Sequence, residues 1–332
     1  MGCDVKAIRA YRVHAYEKFG VGRFDTMSRA ELDAGNVVVR MAYASVNYKD
    51  ALTARGKARI AMKFPLVAGI DLAGTVEESA DPRFKPGDEV IVHSFGLGAE
   101  HDGGYAEYGR FPADWIIPLP KGLTLFEASA LGVAGHTAAL AIDLMELNGL
   151  APAKGKVLVN GATGGVASIA IDILARRGYQ VVAMSGKADQ ADYLKGLGAQ
   201  EVIGRNDIED SGRPLEGPLW AGAVDSVGGA QMSWLTRSMQ KNGVIASFGN
   251  AGGAEFAGNV LPFILRGVRL LGVNVNNPHA TMSRLWGRLA TDLKPRHPDR
   301  IARRIRFEAL ETAFDDLLAA RVVGRQVVDF SL

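Results

Sequence analysis

This chain of 332 residues is poor in cysteine, in net charge and in repeated segments, and each shortage narrows what it can be. Cys3 is the only cysteine, which excludes an intrachain disulfide and any cysteine-rich metal site. The six histidines show no paired ligand spacing, so no metal is expected. The 38 basic and 36 acidic side chains are spread without blocks, so no nucleic-acid partner is expected. No apolar run reads as a membrane span, and the N-terminus lacks the charged-then-apolar pattern of a signal peptide. A cytoplasmic location without a membrane partner is the expectation. Met1-Gly2-Cys3 hints at lipidation, but Lys6 stands where myristoylation wants Ser or Thr.

What is present in quantity is glycine, and one cluster of it is informative. Val157-Leu-Val-Asn-Gly-Ala-Thr-Gly-Gly-Val-Ala-Ser168 joins an apolar run to an amphipathic segment through a glycine turn. That order is the strand–turn–helix of a dinucleotide site, with Gly161, Ala162, Thr163, Gly164, Gly165 and Val166 facing a pyrophosphate. Missing Cβ atoms let the phosphates approach the backbone. An NAD site usually places an acid about 20 residues further on, for the ribose 2′-hydroxyl. Here the next strand, Gln180-Val-Val-Ala-Met184, ends in Ser185-Gly186-Lys187. A hydroxyl and an ammonium suit a 2′-phosphate, and Arg205 follows the third apolar run. NADPH is the expected cofactor.

The length exceeds a usual single core, so two domains are expected. Residues 1–130 read as short strands and turns, including 36–45, 67–76 and 85–92. Residues 131–274 alternate strands (221–225, 243–248, 268–272) with helices near 188–197 and 231–239, the pattern of a doubly wound parallel sheet. Two later helices, near 282–293 and 310–320, and a strand at 324–329 are too few for a third domain. Residues 275–332 are therefore expected to complete the first, leaving a cleft between the lobes.

This arrangement resembles the medium-chain dehydrogenase/reductase superfamily, with a GroES-like catalytic domain and a Rossmann domain. Ser45-Val-Asn-Tyr-Lys-Asp-Ala51, Pro65-Leu-Val-Ala-Gly-Ile-Asp-Leu-Ala-Gly-Thr75, Gly96-Leu-Gly-Ala-Glu-His-Asp-Gly-Gly104, Tyr193-Leu-Lys-Gly-Leu-Gly-Ala199, Trp220-Ala-Gly-Ala-Val-Asp-Ser-Val-Gly228 and Pro262-Phe-Ile-Leu-Arg-Gly-Val268 resemble its zinc-independent acryloyl-CoA reductase branch, whose members are often labelled quinone oxidoreductases. Zinc alcohol dehydrogenases typically read Gly-His-Glu where this chain reads Gly69-Ile70-Asp71, and isoleucine cannot ligate a metal. The resemblance implies NADPH-dependent reduction of acryloyl-CoA to propionyl-CoA. A quinone or enone reductase is the alternative on the same scaffold, and a non-catalytic NADPH-binding protein is a third reading.

Asn47 and Tyr48 are the expected catalytic pair, the first as an uncharged amide donor and the second as a donor to the substrate carbonyl or a contact to the nicotinamide. Related enoyl-thioester reductases carry a tyrosine several residues after the equivalent Asn, where this chain reads Arg55-Gly-Lys-Ala58. Lys49 and Asp50 also read as helix capping plus a solvated charge. Thr137 resembles a family threonine near the nicotinamide, beside His136. The tips Gly249-Asn250-Ala251 and Val273-Asn274-Val275 are expected to face nicotinamide. Arg325 is expected at a pyrophosphate or CoA phosphate. Arg55 and Lys57, with Arg59 and Lys63, form a basic rim for CoA, and His101 is expected to line the substrate entrance. The sheet edge at 268–272 makes a homodimer the expected assembly.

Overall fold

The computed structural model describes residues 7–208 and 210–332. Cys3 and Lys6, and with them the lipidation hint, lie outside the described residues. Sixteen strands are numbered here in chain order: β1 Ala7–His14, β2 Val21–Ser28, β3 Val37–Ser45, β4 Leu66–Val67, β5 Asp71–Ser79, β6 Glu89–His93, β7 Tyr108–Phe111, β8 Ile116–Pro118, β9 Lys156–Val159, β10 Gln180–Ser185, β11 Glu201–Gly204, β12 Trp220–Asp225, β13 Met239–Ser247, β14 Arg269–Gly272, β15 Ala302–Ile305 and β16 Arg325–Asp329. The helices are α1 Tyr48–Ala54, α2 Leu125–Leu147, α3 Gly165–Arg176, α4 Ala191–Gly196, α5 Gly229–Ser238, α6 Leu261–Arg266, α7 His279–Leu289, α8 Pro298–Ile301 and α9 Leu310–Leu318.

The chain divides into two compact units. Among the described residues, the first holds 7–133, 276–283 and 302–332, and the second holds those within 134–275 and 284–301. Sequence reading assigned all of 275–332 to the first. The physical reason for the difference is ionic: Arg284 and Arg288 both reach Asp143 at 2.7 Å, and the backbone N–H groups of Arg296 and His297 donate to the Asp172 carboxylate.

In the first unit β3 is the organising strand. It pairs with β5, β7 and β16 in a seven-stranded sheet of order β15-β16-β3-β5-β6-β8, with β7 off that path. Val37, Val39 and Met41 pack with Leu72, Val90, Val92 and Phe111. On the other side Ala44 and Val46 join Ala51, Ala54, Tyr105 and Phe314, which seats α1 against α9. The β1–β2 hairpin, with β4, makes a separate three-stranded sheet.

The second unit is a parallel six-stranded sheet of order β11-β10-β9-β12-β13-β14. Its strand order reverses between β9 and β12, the topological switch point beside which open α/β sheets bind ligands. Short runs of β-branched and small residues, such as Val157-Leu-Val159, are fully buried, as a sheet covered on both faces requires.

Helix α2 departs from expectation in one respect. By length and composition it is apolar enough to cross a bilayer, with mean hydropathy 1.4, whereas no such run was read from the sequence. Yet 78% of that stretch is buried in protein, and Gly132 (φ 48°, ψ −146°) breaks the helix.

Candidate active site

In the second unit the glycine turn sits at the carboxyl end of β9. Gly161 has φ +57°, and a Cβ there would collide with Ser226 Oγ. Gly164 caps α3 in extended conformation, so the first amides of that helix have no side-chain cap. Two residues that sequence reading missed hold the turn. Asn160 Nδ2 donates to Asp225 Oδ1 at 2.5 Å, and Asn160 Oδ1 accepts the Ser226 N–H at 2.8 Å. Asp225 also accepts the Gly228 N–H and the Ser247 hydroxyl. The signal was present, since each polar residue ends an apolar strand run at the tip where its neighbours converge. Gly249 lies against Ser226 and, like Asn250, lines a pocket of about 330 Å³ with Gly228, Gly253 and Phe256. Asn274 follows β14 and is exposed, while Thr137 is buried in α2.

Ser185, Gly186, Lys187 and Arg205, expected at a 2′-phosphate, stand at the tips of β10 and β11. Ser185 Oγ accepts the Lys187 N–H at 3.0 Å, which leaves its own proton to donate. Arg205 N–H donates to the Ser185 carbonyl at 3.2 Å. The Arg205 guanidinium lies over Gly186, its Nε 3.1 Å from where a Cβ would stand. Partial burial pulls the Lys187 ammonium below the usual lysine range, against the opposing effect of Asp189. Two cations and a hydroxyl around a bare glycine fit a phosphate monoester, and the cradle at Gly161 fits a dinucleotide diphosphate.

In the first unit the sequence Ser45-Val-Asn47 ends β3 and begins α1, and here six polar groups are buried together. Asp71 accepts from Ser45 N (2.9 Å), Ser45 Oγ (2.6 Å), Asn47 Nδ2 (3.1 Å) and Val133 N (3.0 Å). Asp50 Oδ2 accepts from Asn47 N (3.0 Å), Asn47 Nδ2 (3.1 Å) and Tyr105 Oη (2.9 Å). Arg325 donates to the Ala130 carbonyl (2.9 Å), to Asn47 Oδ1 (3.0 Å) and to Ser45 Oγ, and lies 3.8 Å from Asp71. A Cβ at Gly132 would strike the Asp71 carboxylate.

Two carboxyls therefore share one guanidinium. Burial, reinforced by Asp71, pushes Asp50 up to about 7. Three donors, Asn47 N, Asn47 Nδ2 and Tyr105 Oη, converge on Asp50 Oδ2 and oppose that rise. The single Tyr105 hydroxyl proton has two acceptors in reach, the Ser45 carbonyl and Asp50, each at 2.9 Å.

This geometry corrects four expectations. Arg325 is 5% exposed with its donors committed inward, so it is no phosphate ligand. The Asn47 amide is consumed by Asp50, Asp71 and Arg325; it positions α1 and has no donor to spare. Arg55 forms a two-pronged pair with Asp315 (2.8 and 3.0 Å) and donates to the Glu311 carbonyl, which removes it from the basic rim, as pairing with Asp33 removes Lys63. His101 faces inward, its ring nitrogens near the carbonyls of Ala34 (2.9 Å) and Asp102 (3.1 Å) and its ring edge-on to Trp115. Tyr48, by contrast, is 54% exposed at the start of α1, and Lys57 is exposed beyond its end.

Comparison with known proteins agrees with this architecture. Residues 33–121 match the family model for the alcohol dehydrogenase GroES-like domain, and residues 165–291 match the model for zinc-binding dehydrogenase. The residues do not fit zinc: among the described residues no group of three or more His, Cys, Asp or Glu could hold a metal, and Ile70 offers no ligand. A putative quinone oxidoreductase, YhfP of Bacillus subtilis, is 47% identical over 91% of this chain and 93% of its own. Its crystal structure with NAD bound has a TM-score of 0.95, covering 98% of this chain and 100% of that one. The acrylyl-CoA reductase AcuI of Ruegeria pomeroyi is 44% identical over 91% of this chain and 92% of its own. The yhdH oxidoreductase of Salmonella enterica, solved with NADP, is 40% identical with a TM-score of 0.93, covering 97% and 99% of the two chains. With its GroES-like unit, its parallel dinucleotide sheet and these near-full-length likenesses, the chain belongs to the medium-chain dehydrogenase/reductase superfamily, in the acryloyl-CoA reductase and quinone oxidoreductase branch, and is a nicotinamide-nucleotide-dependent oxidoreductase.

Proposed function

We propose that the protein reduces the C=C bond of acryloyl-CoA to propionyl-CoA with NADPH. The observation that carries this reading is the near-full-length likeness to acrylyl-CoA reductase AcuI. The cofactor, when bound, supplies a hydride to the substrate β-carbon. The chain supplies everything else. Ser185, Lys187 and Arg205 hold the 2′-phosphate, and backbone amides of Gly161–Val166 hold the diphosphate. Thr137, Gly249, Asn250 and Asn274 border the nicotinamide end. With no cluster of metal ligands among the described residues, negative charge developing on the thioester oxygen is met by hydrogen bonds, and Tyr48 is the exposed donor assigned to that task. A preorganised donor of this kind contributes roughly 2.7–4 kcal/mol to the transition state. A proton delivered to the α-carbon completes the reduction.

The likeness to the putative quinone oxidoreductase YhfP favours a second reading, reduction of quinones or enones. Following NADPH consumption with acryloyl-CoA and with a small benzoquinone separates the two. A kcat/KM for acryloyl-CoA well above that for quinone is expected, falling by about 10²–10³ in Tyr48→Phe. Preference for quinone, with acryloyl-CoA inert, would sink the CoA assignment.

A homodimer is part of the same proposal. Strand β14 ends its sheet, and Val260, Ile264 and Leu265 beside it are 61–69% exposed. Such an edge is a liability unless paired. Sedimentation should return the mass of two chains, and a monomer at micromolar concentration would remove the dimer from the reading.

A further inference from the structure

In the first unit, the loop that follows α1 meets the β1–β2 hairpin turn. Gly56 (φ +57°) packs on the Gly20 carbonyl, and Gly20 (φ +80°) leaves no room for a Cβ against the Phe64 ring. Both loops are pinned by backbone bonds, Gly20 N–H to the Tyr16 carbonyl and Met62 N–H to the Ala99 carbonyl, each at 2.9 Å. Between them lies a pocket of about 200 Å³ lined by Lys18, Phe19, Arg59, Ala61, Met62 and Phe64.

Its chemistry is unusual for a surface hollow. Met62 is 58% and Phe64 41% exposed, so apolar and aromatic surface faces outward. Lys18 and Arg59 are exposed, and among the described residues neither forms an ion pair with a carboxylate, unlike Arg55 and Lys63 nearby. The Lys18 ammonium lies 5.3 Å from the Phe19 ring centre. Apolar and aromatic surface beside cations that no carboxylate neutralises suits a flat heterocycle carrying phosphates. The pocket falls below the ~300–1,000 Å³ that encloses a whole drug-sized ligand. It therefore suits one end of a long molecule.

Tyr48 opens α1, a helix about 10 Å long, and the pocket residues Arg59, Ala61, Met62 and Phe64 follow its end in the chain. Leu52, one turn on from Tyr48, lies on the same face of α1. Resting on the acryloyl-CoA reading above, we propose that this pocket binds the phosphorylated adenosine end of coenzyme A. Phe19, Met62 and Phe64 take the base, and Lys18 and Arg59 take the phosphates. The pantetheine arm then runs back along α1 to Tyr48.

The test is the double variant Lys18→Glu, Arg59→Glu in the full chain. Calorimetric titration with free coenzyme A should show Kd raised at least tenfold, and adenosine 3′,5′-bisphosphate should compete for the wild-type site. For acryloyl-CoA, KM should rise by a similar factor with kcat held. Acryloyl-N-acetylcysteamine, which lacks the nucleotide, should be turned over equally by both proteins. An unchanged coenzyme A Kd in the variant overturns the pocket assignment while leaving the reaction intact. Wild-type protein that binds coenzyme A here but leaves acryloyl-CoA unreduced removes the reaction and keeps the pocket. Failure of the wild type to bind coenzyme A at all overturns the pocket.

Discussion

Replacing Lys187 and Arg205 together by alanine is expected to weaken NADPH binding by roughly 100-fold or more while leaving NADH binding within a few-fold of wild type. The argument is local. A hydrogen bond to a charged group contributes about 1.5–3 kcal/mol, and each 1.4 kcal/mol is tenfold in affinity. Two such contacts are removed, and both would be spent on the 2′-phosphate that NADH lacks. The Gly161 turn and the α3 amides, which serve both cofactors, are untouched. Fluorescence titration with the two reduced nucleotides checks the outcome. Equal loss for both would place Lys187 and Arg205 outside any phosphate site.

Arg325→Met should be the most damaging single change in the first unit. It leaves Asp71 buried without its cation and strips Asn47 and Ser45 of a donor, and breaking a buried pair by removing one partner costs about 3–5 kcal/mol. The effect is read by denaturant unfolding, and a loss under about 1 kcal/mol would refute the account. The pH course of the wild type supplies a second check. Asp50 titrates near 7 when folded against 3.8 as a free side chain, so its folded pKa is raised. Its contribution to stability is therefore full below about pH 4 and is lost as pH rises towards 7. Asp50→Asn, which keeps the shape and carries no charge, should flatten that slope.

The parts of the site that were legible in the sequence are the local ones. The turn 161–166 and the tip 185–187 each follow from an apolar run and the few residues after it. The parts that were misread depend on distant partners. Arg325 looks like a solvent-facing cation in a turn, yet its partners Asn47 and Ser45 lie 278 and 280 positions away. Arg55 reads as a basic rim until Asp315, 260 positions on, is seen to claim it. Residues 284–301 were assigned to the wrong unit for the same reason, since their acidic partners stand at 143 and 172. Gly132 carried no periodicity signal, because a helix break inside an apolar run is fixed by the Asp71 carboxylate packed against it.

Lys187 and Arg205 stand on turns at the tips of β10 and β11, apart from any hydrophobic cluster, whereas Ser45, Asn47, Asp50, Asp71, Tyr105 and Arg325 are buried and each satisfies another. Mutational drift meets unequal resistance at these two places. On the proposed 2′-phosphate site, a lineage can trade one nicotinamide pool for another through substitutions at these two tips, with little burden on the fold. The six buried groups offer no such gradual route: a change in one strands its neighbours, so they are inherited together or lost together.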